Sequence, residues 1–375
     1  MNMRAALNVN TARFSLLYAL ALSVAGIDLS ITVRSGQDLT SSALGGTFAY
    51  VMIALGSIVA ARVGMTLIHR IGLRTAFVLA GALCSISGVL TSLSTVYRIP
   101  LVFYLGLLLV GVFMGLANYH RIVVKDFSAH PSAWDTSIVL LSGIVGAVVG
   151  PFLATSLAPT VADFHRAYLI VAVIGLLTAG AALLLPRNVP VRDPARATYA
   201  DDRSELRLGA IVGVVSYMAM TLVMTAVPLH AQSTGLAGSA IAGLSQAHMV
   251  AMYLPILFVP MAIRWSSTRV VAFATLALGA VALPISGNRL MSAMIIAGIL
   301  WAFGYTAASN MVASSSYGQR VPAARGRAEM LPPLGMIIGS VLAGVLLDVA
   351  SFAWVVGIAT AVCLAGLGGS VVTKR

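Results

Sequence analysis

The sequence predicts an all-α integral membrane protein with twelve transmembrane helices in two pseudo-symmetric six-helix bundles. Three observations carry that expectation. The 375 residues are 59% hydrophobic and only 9% charged, with a mean hydropathy of +0.97, whereas a soluble domain holds about 25% charged residues. Twelve apolar runs approach the roughly 20 residues needed to cross a bilayer. The basic residues between those runs then fall almost wholly on one side.

The runs are 13–33, 41–62, 75–95, 100–118, 135–156, 167–185, 208–229, 241–262, 270–287, 291–312, 331–349 and 352–372. Several connections are only a few residues long, which makes successive helices antiparallel neighbours. The first run, from Phe14 to Ile31, is too long for a cleavable signal core and reads as the first span. With the N-terminus inside, nineteen of the 23 Lys and Arg are cytoplasmic, and only Arg34, Arg98, Arg166 and Arg289 lie outside. Both termini are therefore expected in the cytoplasm. This distribution, rather than nucleic-acid binding, accounts for the net charge of +12.

The longest polar stretch, 186–207, is rich in Pro, Arg and Asp and has no apolar period. It reads as a cytoplasmic linker between an N-terminal bundle, 1–185, and a C-terminal bundle, 208–375. Six helices plus six is the layout of secondary transporters, with the substrate held near the midplane.

The connection between the second and third runs contains Gly64, His69, Arg70, Gly72 and Arg74. Glycine suits a tight turn there, and arginine suits a carboxylate or a helix end. A plain basic loop is the alternative. The fourth run ends with Met114, Asn118, Tyr119, His120, Arg121, Lys125 and Asp126 close together. An inner gate, with Met114 and His120 as a relay and Arg121 seeking a carboxylate such as Asp126, is one reading. Interfacial anchoring is the other. Asp28 and Asp348 sit near outer helix ends, each as a proton or cation group or as an interface residue reaching water. The fifth and eleventh runs carry Gly146 and Gly150, and Gly335 and Gly339, pairs that let helices approach closely. Cys84 and Cys363 lie in apolar runs with no Cys nearby, so neither a disulfide nor a zinc motif is expected; Cys84 is a second, weaker soft-metal candidate.

One further pattern concerns chemistry. Met220 and Met224 are four apart in the seventh run, as are His248 and Met252 in the eighth. Positions i and i+4 share a helix face. In an antiparallel hairpin, at about 1.5 Å rise per residue, the two pairs overlap in depth near mid-membrane. Three thioethers and an imidazole form a soft donor set suited to Cu(I). Methionine at helical spacing is also common packing, whereas histidine within a span is costly and points to function.

The twelve-run plan and the worn loop at Arg70, Gly72 and Arg74 resemble the major facilitator superfamily. Within it, the Met220/Met224 and His248/Met252 pairs, with the flanking Pro228-Leu-His and Gln246-Ala-His-Met-Val-Ala-Met-Tyr-Leu-Pro255, resemble CcoA-like copper importers. That resemblance implies a monomeric carrier in the bacterial inner membrane that brings in copper for cytochrome oxidase assembly. Copper is then the cargo, no cofactor is needed, and Met220, Met224, His248 and Met252 handle the metal. The same wider family includes riboflavin carriers, so a carrier of riboflavin or another small organic solute is the alternative. It would use aromatic groups among Tyr50, Tyr119, Tyr217, Tyr253 and Trp301. A copper-binding chaperone or sensor is a third reading. No nucleophile–base pair or nucleotide loop is apparent, so no enzyme is expected.

Overall fold

The computed structural model describes residues 8–41, 43–128, 130–189, 203–236, 238–287, 289–314, 326–349 and 351–372. These residues are helical almost throughout, and twelve of their helices are long and apolar enough to cross a membrane. They are α1 (Val9–Thr40), α2 (Ala43–Ile71), α3 (Leu73–Tyr97), α4 (Pro100–Ala117), α5 (Ala133–Leu157), α6 (Phe164–Ala182), α7 (Arg203–Ser233), α8 (Gly238–Tyr253, extended to Trp265), α9 (Thr268–Ser286), α10 (Leu290–Ser314), α11 (Leu331–Val349) and α12 (Phe352–Val372). Within the hydrocarbon every backbone polar group must be satisfied inside the chain, and helices do this locally. Helix starts are fixed by short-range chemistry. The Asn8 side chain accepts from the backbone N–H groups of Asn10 and Thr11 at 2.9 Å. Ser132 and Asp135 form a capping box at α5, and Ser267 caps α9.

Two spans are broken. α5 is interrupted at Ser142, between Ala133–Leu141 and Gly143–Leu157. α8 passes through a 3-10 stretch, Leu254–Phe258, before resuming at Val259. Pro255 and Pro260 explain the latter, because a helix-interior proline lacks the N–H donor and crowds the preceding turn. The continuous run expected over 241–262 is thus two helical pieces with a tighter joint.

The chain divides into two compact units. In the first, containing α1 to α6, helices meet through glycines. A Cβ on Gly26 of α1 would lie 2.8 Å from Pro151 Cδ and 2.9 Å from the Gly146 carbonyl of α5. The α5 glycines expected to permit close approach therefore meet α1. Gly72 turns the chain between α2 and α3 at φ 89°, and the Arg74 Nε donates to the Leu185 carbonyl at 2.8 Å, just past α6. Residues 326–330 also belong to this unit, although α11 follows directly in sequence. In the second unit, α7 meets α11 at Gly335 and Gly339, whose added Cβ atoms would lie 2.6 Å and 2.7 Å from the Val214 and Met218 carbonyls. Arg269 Nε pairs with Glu205 at 3.1 Å and joins the starts of α9 and α7.

Most of the proposed linker, 190–202, lies outside the described residues, and α7 begins at Arg203 rather than 208. Arg320, Arg325, Lys374, Arg375 and the Asp348 side chain also fall outside them.

Candidate functional site

The second unit holds a group of aromatic rings built by α7, α8 and α10. Trp301 stacks on Tyr305 with centroids 4.8 Å apart. Tyr217 meets Trp301 at 5.8 Å and Tyr305 at 5.0 Å, both edge to face, and Tyr253 meets Trp301 at 5.6 Å. Helical spacing explains the set: Trp301 and Tyr305 are one turn apart on α10, so both rings project from one face. Close packing completes it. Gly298 lets α8 approach α10, since a Cβ there would lie 2.8 Å from both the Ala251 Cβ and the His248 carbonyl.

The helices that carry these rings also carry buried polar atoms without hydrogen-bond partners among the described residues. They include Trp301 Nε1, Ser216 Oγ, Thr306 Oγ1, Thr221 Oγ1 and His248 Nε2. All five side chains are buried. Buried polar groups are nearly always satisfied, so several orphans in one region point to a missing partner.

The four expected metal ligands fall on α7 and α8. Met220 and Met252 are buried, His248 is 1% exposed, and Met224 is half-buried. His248 Nδ1 lies 2.7 Å from the Met294 carbonyl of α10. A carbonyl only accepts, so Nδ1 carries the hydrogen. In the neutral ring Nε2 is then a lone pair, the state of an imidazole that receives a ligand. Among the described residues no three His, Cys, Asp or Glu side chains gather as a metal cluster, so an ion held here would rest mainly on thioethers. His248 precedes Tyr253 on α8 by about 7.5 Å of rise, so the soft donors and the aromatic rings are successive levels of the same helices.

The expected gate residues lie in the first unit and divide in role. Arg121 is completely buried, and its guanidinium makes a two-pronged pair with Glu329, Nη2–Oε2 at 2.5 Å and Nη1–Oε1 at 3.4 Å. The carboxylate that Arg121 needs thus comes from residues 326–330 and was not foreseen. Glu329 is one of only two glutamates in the sequence and directly precedes α11, which is the signal that could have found it. Thr136 Oγ1 donates to the Arg121 carbonyl at 3.0 Å. His120 is buried and stacks on Phe77 at 4.1 Å, with Phe14 at 6.0 Å. Its two ring neighbours carry no metal-binding atoms, and both of its own ring nitrogens are buried without a hydrogen-bond partner among the described residues. Met114 and Asp126 are half-buried, and Arg70 is exposed on the α2 end. Tyr119 donates to the Ala61 carbonyl at 2.6 Å and packs the first unit instead of joining the aromatic group. Cys84 is buried, and its thiol points at the Val171 carbonyl at 3.7 Å.

Comparison with known proteins bears on the fold. No family model matches the chain. It is 28% identical over 340 residues to the riboflavin transporter RfnT of Brucella anthropi, covering 85% of this chain and 83% of that protein. It is 24% identical over 376 residues to the uncharacterized MFS-type transporter YddS of Bacillus subtilis, covering 90% and 85%. The E. coli fucose:proton symporter FucP superposes with a TM-score of 0.73 at 13% identity, covering 99% of this chain and 100% of that one. A bacterial homologue of the iron transporter ferroportin in an outward-facing state gives 0.70 at 13% identity, covering 98% and 100%. The fold is that of the major facilitator superfamily, and these relatives and neighbours are transporters rather than enzymes. The chain thus shares the fold of these transporters, with twelve helices long and apolar enough to cross a membrane among its described residues.

Proposed function

We propose that the cargo is a planar aromatic organic solute of the flavin class, taken up across the bacterial inner membrane with both chain termini in the cytoplasm. The observation that carries this reading is the aromatic group of Tyr217, Tyr253, Trp301 and Tyr305, with orphaned donors at Trp301 and at Ser216 and Thr306, which adjoin Tyr217 and Tyr305 in sequence. Rings of this kind stack on a flat heterocycle, while the hydroxyls and indole N–H match its carbonyl and nitrogen atoms. The Brucella relative's description as a riboflavin transporter supports the same class. The test is equilibrium binding of riboflavin to purified protein, read by quenching of flavin fluorescence. Wild-type protein should quench, and Trp301→Leu should lose most of the quenching while M220L/H248L keeps it.

A second reading, copper import for cytochrome oxidase assembly, is favoured by one specific feature. His248 offers an unpartnered Nε2 on the helix that carries Met252, with Met220 and Met224 on α7. Neither curated relative is described as a copper carrier. Copper content of the purified protein and uptake of radiolabelled copper into vesicles separate the two. If copper binds and moves in wild type but not in M220L/H248L, and riboflavin does not quench, the metal reading replaces the organic one.

A further inference from the structure

The end of α1 far from the N-terminus carries a cation that neither the aromatic group nor the soft donors use. α1 and α5 touch at Gly26, where an added Cβ would lie 2.8 Å from Pro151 Cδ and 3.0 Å from Gly150 Cα. Further out, α5 ends at Leu157 while α1 runs on to Thr40. A groove of about 310 Å³ opens there, lined by Ser30, Ile31 and Arg34 of α1 and by Ala154, Thr155 and Pro159. The Arg34 guanidinium stands 5.3 Å over the Phe164 ring at the start of α6, a contact that holds a cation in place. The acids nearby are engaged elsewhere. Asp38, one turn on along α1, pairs with Arg98 at 3.0 Å, and Asp163 pairs with Arg166 at 3.1 Å. Asp28 is 5% exposed, which corrects the expectation that it reaches water, and accepts a hydrogen bond from Thr32 at 3.3 Å. Among the described residues Arg34 has no carboxylate partner. We infer that this groove binds an anionic phospholipid, with its phosphodiester on Arg34 and an acyl chain along α5. The inference rests on the membrane-spanning reading and is independent of the cargo.

The chemistry of the groove narrows the ligand. A planar guanidinium without a carboxylate matches a pair of phosphate oxygens, which it binds in two places. The hydroxyls beside it have already used their hydrogens. Ser30 Oγ donates to the Gly26 carbonyl at 2.8 Å, and Thr155 Oγ1 donates to the Pro151 carbonyl at 2.9 Å. Both oxygens keep a lone pair, so they suit a headgroup that brings its own O–H donors. Glycerol does; choline has neither O–H nor N–H. The groove has room for a headgroup and not for the tails. A track for the tails lies next to it. Phe152, Val148 and Val145 fall on the same side of α5 as Thr155 and are 65%, 60% and 50% exposed. From Thr155 to Val145 the helix rises about 15 Å, half of the roughly 30 Å hydrocarbon core. An acyl chain laid along it from Arg34 therefore crosses one leaflet. A free phosphate would use Arg34 and leave this apolar track bare.

The test is native mass spectrometry of the full-length protein, released from detergent with phosphatidylglycerol and phosphatidylcholine added in equal amounts. Wild type should retain phosphatidylglycerol in preference to phosphatidylcholine. R34Q should weaken that adduct about fivefold or more, and R34K should give an intermediate one. Thermal midpoints of the same samples are a second readout: phosphatidylglycerol should raise that of wild type and leave that of R34Q where it was. If R34Q melts early even without lipid, the wild-type preference and the R34K adduct decide. Equal retention of the two lipids by wild type overturns the inference, as does an adduct of undiminished strength in R34Q or, where that variant melts early, in R34K. Displacement of the lipid by inorganic phosphate or glycerol 3-phosphate also overturns it, and marks the groove as a site for a free anion.

Discussion

At the scale of single residues, the Arg121–Glu329 pair makes the strongest demand. The arginine is 0% exposed and the glutamate 7%. Breaking a buried pair by removing one partner costs about 3–5 kcal/mol, whereas replacing both with apolar residues of similar volume is far milder. Glu329→Gln should therefore lower the thermal midpoint of the detergent-purified protein markedly, and R121M/E329L should recover much of the loss. Thermal unfolding of the three proteins side by side checks this. His248 makes a smaller demand: His248→Leu removes its hydrogen bond to the Met294 carbonyl and should cost about 0.5–1.5 kcal/mol, read in the same melts. Arg121 was legible in the sequence as a basic residue at a helix end placed to meet a carboxylate such as Asp126; its partner, 208 positions away, was not, because spacing along a chain carries no information about a contact that distant.

At the scale of elements, glycine positions decide which helices touch. Gly298 sits where a Cβ would press 2.8 Å from the Ala251 Cβ and the His248 carbonyl. Gly298→Val should push α10 from α8, cost about 1–3 kcal/mol and weaken ligand quenching, because His248 and Tyr253 of α8 are positioned against α10. Gly344→Ala is the contrasting case. A Cβ there meets nothing within 4 Å, so the exchange should be neutral or stabilise the helix by about 0.5–1 kcal/mol. Measuring stability and binding for both variants separates contact glycines from incidental ones. The Gly-x-x-x-Gly pairs were legible as close-packing surfaces, and in the structure they pack within a unit, α5 on α1 and α11 on α7. The joint in α8 was legible as Pro255 and Pro260, yet a hydropathy window sees only an apolar run, and it passed over both.

At the scale of the whole molecule, twelve spans follow from composition and length alone, since an apolar helix has no alternative solvent but lipid. The cargo does not follow so simply. Met-x-x-x-Met and His-x-x-x-Met are visible to the eye as a pattern, whereas Tyr217, Tyr253, Trp301 and Tyr305 come from three helices with no shared motif and become a group only on folding. Of these, Tyr305 escaped the sequence reading although it stands one turn from Trp301. The two cargo readings predict opposite outcomes for one pair of variants in a single uptake assay. Trp301→Leu should abolish riboflavin uptake and M220L/H248L should spare it; the reverse pattern with radiolabelled copper supports the metal.

The assignment of residues 326–330 to the first unit bears on dissection of the protein. A fragment ending in the 186–207 stretch would contain Arg121 but not Glu329, and so would lack the carboxylate that grips its guanidinium in two places. Such a fragment should accumulate poorly, and a peptide spanning 322–330 supplied in trans should rescue it where one bearing Gln at 329 does not. The piece of chain just before α11 would then serve the N-terminal bundle as a detachable plug, encoded in the other half of the gene.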